Sequence, residues 1–162
     1  MSLALARVDD RLVHGQVVLA WAGTLKADRL LVADDASARA DWERQLMQAS
    51  AGDLEVQVFA VAETDARLRE ESARSGTAIL LFRSPRAALA AVEAGAAIGE
   101  LNLGGLHHAP GREPVLDYLY LNDDDRGALR ALAERGVKLT ARDLPSSRPL
   151  PAAEWLEPGN VA

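Results

Sequence analysis

"TAILLFRSPRAALAAVEAG", residues 77–95, decides the fold. Residues 77–82 are an unbroken apolar run, which suits a strand buried on both faces rather than one alternating between core and water. The residues that follow read as a helix. Ser84 stands where a cap is needed, Pro85 fits the first helical position, and Gly95 fits just past the end. A doubly buried strand followed at once by a helix is the repeating unit of a parallel sheet covered by helices.

The same alternation extends in both directions. Strands are expected over 3–8, 28–33 and 54–61 on the N-terminal side and over 98–105, 115–121 and 137–144 on the other. The helix over 15–25 puts Val17, Val18, Trp21 and Leu25 on one side. Over 40–51, Trp42, Leu46 and Ala49 are spaced for one face, and 62–73 is a charged surface helix. The helix over 123–136 opens on acidic residues, where the dipole favours them, and Gly136 lies past its end. The expected fold class is therefore α/β: a single-domain, open, mainly parallel sheet of about seven strands with helices on both faces. The link from Gly105 to Val115 is too short for a crossover helix, so one strand is expected to be antiparallel there. Residues 1–145 read as the domain. From Pro145 onward the chain holds four of its seven prolines and reads as irregular, so 146–162 is set apart as a Pro-rich tail.

Composition narrows the function. The chain has 162 residues, enough to bury roughly 70% of its unfolded surface. Aromatics are only 4%, so the core is expected to be aliphatic. The net charge of −6 argues against a nucleic-acid partner, which needs clustered cations. The absence of cysteine excludes disulfides and thiol chemistry. No apolar run reaches the ~18–20 residues needed to span a bilayer, and the N-terminus lacks the basic region of a signal peptide. No direct membrane insertion is expected, and the simplest location is the cytoplasm.

Chemistry concentrates in "RVDDRLVHGQVV", residues 7–18. In an open α/β sheet, ligands bind beyond the carboxyl ends of the strands, and this loop follows the first strand. The helix after it opens at about Gly15, where unpaired N–H groups suit an anion. Arg11 adds a guanidinium fork matched to phosphate oxygens. His14 supplies a nitrogen that is nucleophilic near neutral pH. Together they describe a phosphohistidine site: the phosphoryl group on His14, held by Arg11 and the N–H groups of Gly15 and Gln16. Asp9 and Asp10 would repel phosphate as direct ligands, so they are expected to orient Arg11 or the imidazole. Leu12 and Val13 flank the histidine as a possible apolar rim. The plainer alternative is a surface loop that happens to hold a histidine and an arginine.

"RVDDRLVHGQVVLAW" resembles the active-site signature of the IIB subunits of the bacterial phosphoenolpyruvate-dependent sugar phosphotransferase system, mannose/fructose/sorbose class. The resemblance continues in order through "LLVADDASARADWERQLMQAS", "AILLFRSPRAALAAVEAG", "IGELNLGGLHHAPGREPV" and "YLNDDDRGALRALAERGVKLTARDLP", covering roughly residues 3 to 145. It implies that His14, through Nδ1, takes a phosphoryl group from a IIA partner and passes it to a sugar entering through membrane IIC and IID partners. Arg11 is the matching arginine. The alternative is a regulatory phosphoacceptor of an incomplete phosphotransferase system, without sugar transport. A binding module that only holds an anion or nucleotide is a third reading, but no Gly-rich dinucleotide or P-loop motif supports it.

Other candidates have plainer readings beside them. Ser84 could face the site or simply cap its helix. Asp34 could orient a cation or merely complement a helix dipole. Gly104 and Gly105 could admit close backbone approach or form a tight turn. His107 and His108 lack a third ligand at suitable spacing, so no metal is expected and they read as exposed loop residues. No cofactor is expected.

Overall fold

The computed structural model describes residues 3–157. β4 (Ala78–Phe82) sits inside the sheet with all five residues buried, between β2 (Arg29–Ala33) and β1 (Leu3–Val8). Full burial of each large apolar side chain in such a strand contributes about 1.5–3 kcal/mol, which is why the apolar run is continuous. β3 (Glu55–Phe59) lies outside β2. On the other side β1 pairs with β5 (Glu100–Leu103), and β5 with β8 (Lys138–Ala141), all in parallel. The seventh strand is β9 (Leu150–Pro151), antiparallel to β8 at the edge. The order is β3-β2-β4-β1-β5-β8-β9.

Helices cover both faces, as expected. On one face α1, a π-helical stretch Gln16–Trp21 continuing as the α-helical turn Ala22–Leu25, packs with α3 (Asp41–Ser50) over Leu30, Val32, Ile79 and Leu81. On the other, α4 (Thr64–Ser72), α5 (Pro85–Glu93) and α6 (Asp123–Glu134) cover Leu31, Leu80, Phe82, Leu101 and Leu103. The helices after neighbouring strands β1 and β4 thus leave on opposite faces. The carboxyl ends of two strands whose helices diverge in this way are the usual ligand position in this architecture. Among the described residues no helix is long and apolar enough to cross a membrane.

Four expectations change. Residues 115–121 are not a sheet strand but part of a hairpin, β6 (Glu113–Leu116) with β7 (Leu119–Leu121), antiparallel and separate from the main sheet. The seven-strand total stands because β9 replaces it, so the antiparallel strand of the main sheet comes from the Pro-rich segment. That segment also buries Trp155 completely, with its indole N–H donating to Leu150 O at 3.0 Å. Residues 158–162 of the tail lie outside the described residues. The short helix α2 (Asp35–Ala38) was not foreseen. Finally, Trp42 and Leu46 face solvent at 66% and 58% exposure, while Met47 and Ala51 make the inward contacts.

Candidate active site

Asp9 immediately follows β1 and is fully buried. Its backbone N–H donates to Phe82 O, which ties the loop to β4. The carboxylate gathers the loop around itself. Oδ1 accepts from the Arg11 backbone N–H at 3.1 Å and from Arg11 Nε at 3.2 Å. Oδ2 accepts from Arg7 Nη2, Arg11 Nη2 and the Gly105 N–H, each at 3.3 Å. His14 Nε2 lies 3.1 Å from the same oxygen. Burial pushes the Asp9 carboxyl up, but the hydrogen bonds from His14 and Arg11 and the charge of Arg7 more than offset it, holding it well below the usual carboxylate range.

An ionised carboxylate only accepts hydrogen bonds, so the proton of a neutral His14 belongs on Nε2. Nδ1 then carries the lone pair, and among the described residues no group hydrogen-bonds it. The side chain keeps 16% of its surface exposed. His14 O accepts the Val18 N–H at 3.0 Å, which makes His14 the residue that opens α1. The N–H groups of Gly15 and Gln16 come next, in the first turn, where no helix carbonyl precedes them. A Cβ on Gly15 would meet nothing within 4 Å, so the space beside it is open. Arg11 is part-exposed, and its Nη2 also reaches Gln16 Oε1 at 3.0 Å.

The loop turns through Leu12, whose φ of 54° is left-handed. A side chain in that region costs about 1–2 kcal/mol. Leu12 is only 1% exposed and packs with Val17 and Trp21, so its burial offsets that cost and sets the turn that presents His14. It is therefore a core residue and not part of an apolar rim.

Two features escaped the sequence reading. Arg7 is fully buried and holds Asp9 from behind. Its Nη1 donates to Asn102 Oδ1 at 2.5 Å and Arg142 O at 2.8 Å, its Nη2 also donates to Asp143 O at 3.2 Å, and its guanidinium lies over the Trp21 ring. A buried arginine on an apolar strand has no signature in periodicity. Gly104 is the clue in hindsight, since a Cβ there would lie 2.2 Å from the Arg7 guanidinium. The second feature is His107, whose Nδ1 is 2.7 Å from Asp10 Oδ1. Asp10 thus turns to His107, not to His14 or Arg11.

The remaining candidates separate. Gly105 belongs to the site through its N–H to Asp9. Ser84 caps α5 by accepting the Ala87 N–H at 3.2 Å. Asp34 caps α2 through Ser37 and pairs with Arg83, Nη2 to Oδ2 at 2.8 Å, so it orients a cation one strand away from His14. His108 packs edge-on against Tyr120. Among the described residues no cluster of histidines and carboxylates suits a metal ion.

The chain belongs to the sorbose subfamily of IIB components of the sugar phosphotransferase systems (PTS): residues 3–160 match that family's model, a span that includes most of the tail. It is 31% identical over 147 residues to the fructose-specific EIIB component of Bacillus subtilis (strain 168), covering 90% of each chain. It is 31% identical over 144 residues to the mannose-specific EIIAB component of Escherichia coli (strain K12), covering 88% of this chain and 44% of that one. The crystal structure of the IIBSor domain of the sorbose permease from Klebsiella pneumoniae matches with a TM-score of 0.84 at 31% identity, over 93% of each chain.

Proposed function

We propose that this protein is a phosphohistidine carrier: His14 Nδ1 accepts a phosphoryl group from a IIA partner and transfers it to a sugar during uptake through membrane IIC and IID partners, on the cytoplasmic side. The observation that carries this reading is the Asp9–His14 bond, which occupies Nε2 and leaves the Nδ1 lone pair free. A relative designated EIIAB in one longer chain supports the IIA partner.

Such transfer depends on position and charge more than on covalent machinery. The phosphorus–nitrogen bond to Nδ1 forms as the donor's bond breaks. The incoming negative charge meets the N–H groups of Gly15 and Gln16. Arg11 holds Asp9 and Gln16 from a part-exposed position, so its guanidinium is free to turn towards the phosphoryl oxygens. Arg7 stays with Asp9 and neutralises the carboxylate that would otherwise repel the phosphoryl group.

Labelling from phosphoenolpyruvate through the general PTS proteins and a IIA partner tests the proposal. The expected product is an acid-labile, base-stable modification that disappears in His14→Ala. Arg11→Ala should slow labelling roughly 10- to 100-fold, the worth of about one lost charge-assisted hydrogen bond. Undiminished labelling of His14→Ala would refute the assignment.

A further inference from the structure

We propose that His107 is the catalytic base for the second half of the reaction, taking the proton of the acceptor hydroxyl as the phosphoryl group leaves His14. The inference rests on the carrier reading above.

Two adjacent aspartates of the first loop each hold a histidine, and the two histidines present opposite nitrogens. Asp9 holds His14 by Nε2 and leaves Nδ1. Asp10 holds His107 by Nδ1, at 2.7 Å, and also accepts the His107 backbone N–H at 2.8 Å. The Asp10 carboxylate accepts, so Nδ1 of a neutral His107 carries the proton and Nε2 keeps a lone pair. Among the described residues no group hydrogen-bonds that Nε2. A carboxylate fixing one ring nitrogen so that the other can take a proton from a hydroxyl is a recurring acid–base device.

The two pairs share one floor. A Cβ on Gly105 would lie 2.9 Å from His107 Cε1 and 3.2 Å from Arg11 Nη2, so the imidazole and the guanidinium lie over Gly105 side by side. The N–H of the same glycine goes to Asp9 Oδ2, the oxygen that holds His14. The His107 side chain is 51% exposed, within reach of an acceptor arriving from outside, and Arg112 Nη1 holds its backbone carbonyl at 3.3 Å.

The chemistry needs such a group in one direction only. Transfer from a donor histidine to His14 exchanges one nitrogen–phosphorus bond for another and takes no proton from the nucleophile. Transfer to a sugar does. The oxygen–phosphorus bond forms, the bond to His14 breaks, its electron pair returns to Nδ1, and the hydroxyl proton passes to His107 Nε2. The resulting imidazolium faces Asp10 and later releases its proton to water.

The test measures both half-reactions in the full chain with His107→Gln, which keeps a polar group but no base; at a half-exposed position the variant folds. Labelling of His14 by the IIA donor should be unchanged. Transfer of the label to sugar, with IIC and IID membranes, should slow about 100-fold. The wild-type rate of that step should fall in acid, as expected of a reaction that needs a free base, and the variant should lose this dependence. The charged groups around the ring are Asp10 and Arg11 of the first loop, Arg112 of its own loop, and Arg83, whose charge interacts with Asp10. Equal slowing of both half-reactions, or of neither, would overturn the role of His107. Failure of wild-type His14 to take label would instead overturn the carrier reading, and the inference with it.

Discussion

Asp9 gathers two arginines and a histidine on one buried carboxylate. Its neighbours cost more to leave unpaired than the group itself costs to bury. Asp9→Asn would strand the fully buried Arg7, at a cost of about 3–5 kcal/mol. The pH dependence follows from the depressed Asp9 pKa. The folded state holds the carboxylate ionised, so its contribution is present above the usual carboxylate range and is lost as pH falls through and below it. Urea titrations at pH 7 and pH 3 should therefore show a large gap between wild type and Asp9→Asn at pH 7 that narrows at pH 3. A pH-independent gap would mean that geometry, not charge, is what Asp9 supplies. At this scale the contact of Asp9 with Arg11 and His14 was legible in the sequence, because each has a chemistry readable from its residue type. The sequence did not disclose Arg7 or the partner of Asp10, since those depend on β5 and the loop after it, about a hundred residues away.

Among the elements, the strands and long helices were legible because burial on one or two faces leaves a period in the sequence. α3 shows where a period misleads. Trp42 and Leu46 are four residues apart on one face and read as an inward stripe, yet that face is turned to solvent. The inward contacts come from Met47 and Ala51, and α3 itself lies against the single edge strand β3. Trp42→Ala and Leu46→Ala should each change stability by less than about 0.5 kcal/mol, as expected of exposed positions. Thermal or urea denaturation measures this, and a loss of 2 kcal/mol at either site would show that the helix is seated the other way round. The hairpin of β6 and β7 was missed for a related reason. Residues 115–121 hold enough apolar side chains for one strand, and the turn at Asp117 and Tyr118 lacks the glycine or asparagine that marks a tight hairpin. The π-helical stretch of α1 has no sequence signal either, although Val17 and Trp21 within it are buried.

For the whole molecule, the doubly wound sheet was readable from alternation alone, but the position of its C-terminal edge was not, because prolines read as the end of order. Tertiary packing overrides that signal. Beyond residue 145, β9 pairs with β8, Trp155 and Leu156 enter the main core, and Arg126, itself buried, donates to Leu156 O at 3.1 Å. The segment is tied to the site through the residues just before it. The carbonyls of Arg142 and Asp143 hold Arg7, and the Arg142 guanidinium is anchored in turn by the carbonyls of Pro145 and Ser147. A chain ended at residue 145 should therefore lose about 3–5 kcal/mol from the missing tryptophan alone, and Trp155→Ala in the full chain should reproduce most of that loss. For a domain of this size the melting temperature should fall by roughly 10 °C. The shortened chain should also take label on His14 more slowly, since Arg7 and through it Asp9 lose the anchored frame that holds them. Calorimetry and labelling on the same preparation check both expectations. An unchanged melting temperature would mean that residues beyond 145 are an appendage, and that the site is held by the sheet without them.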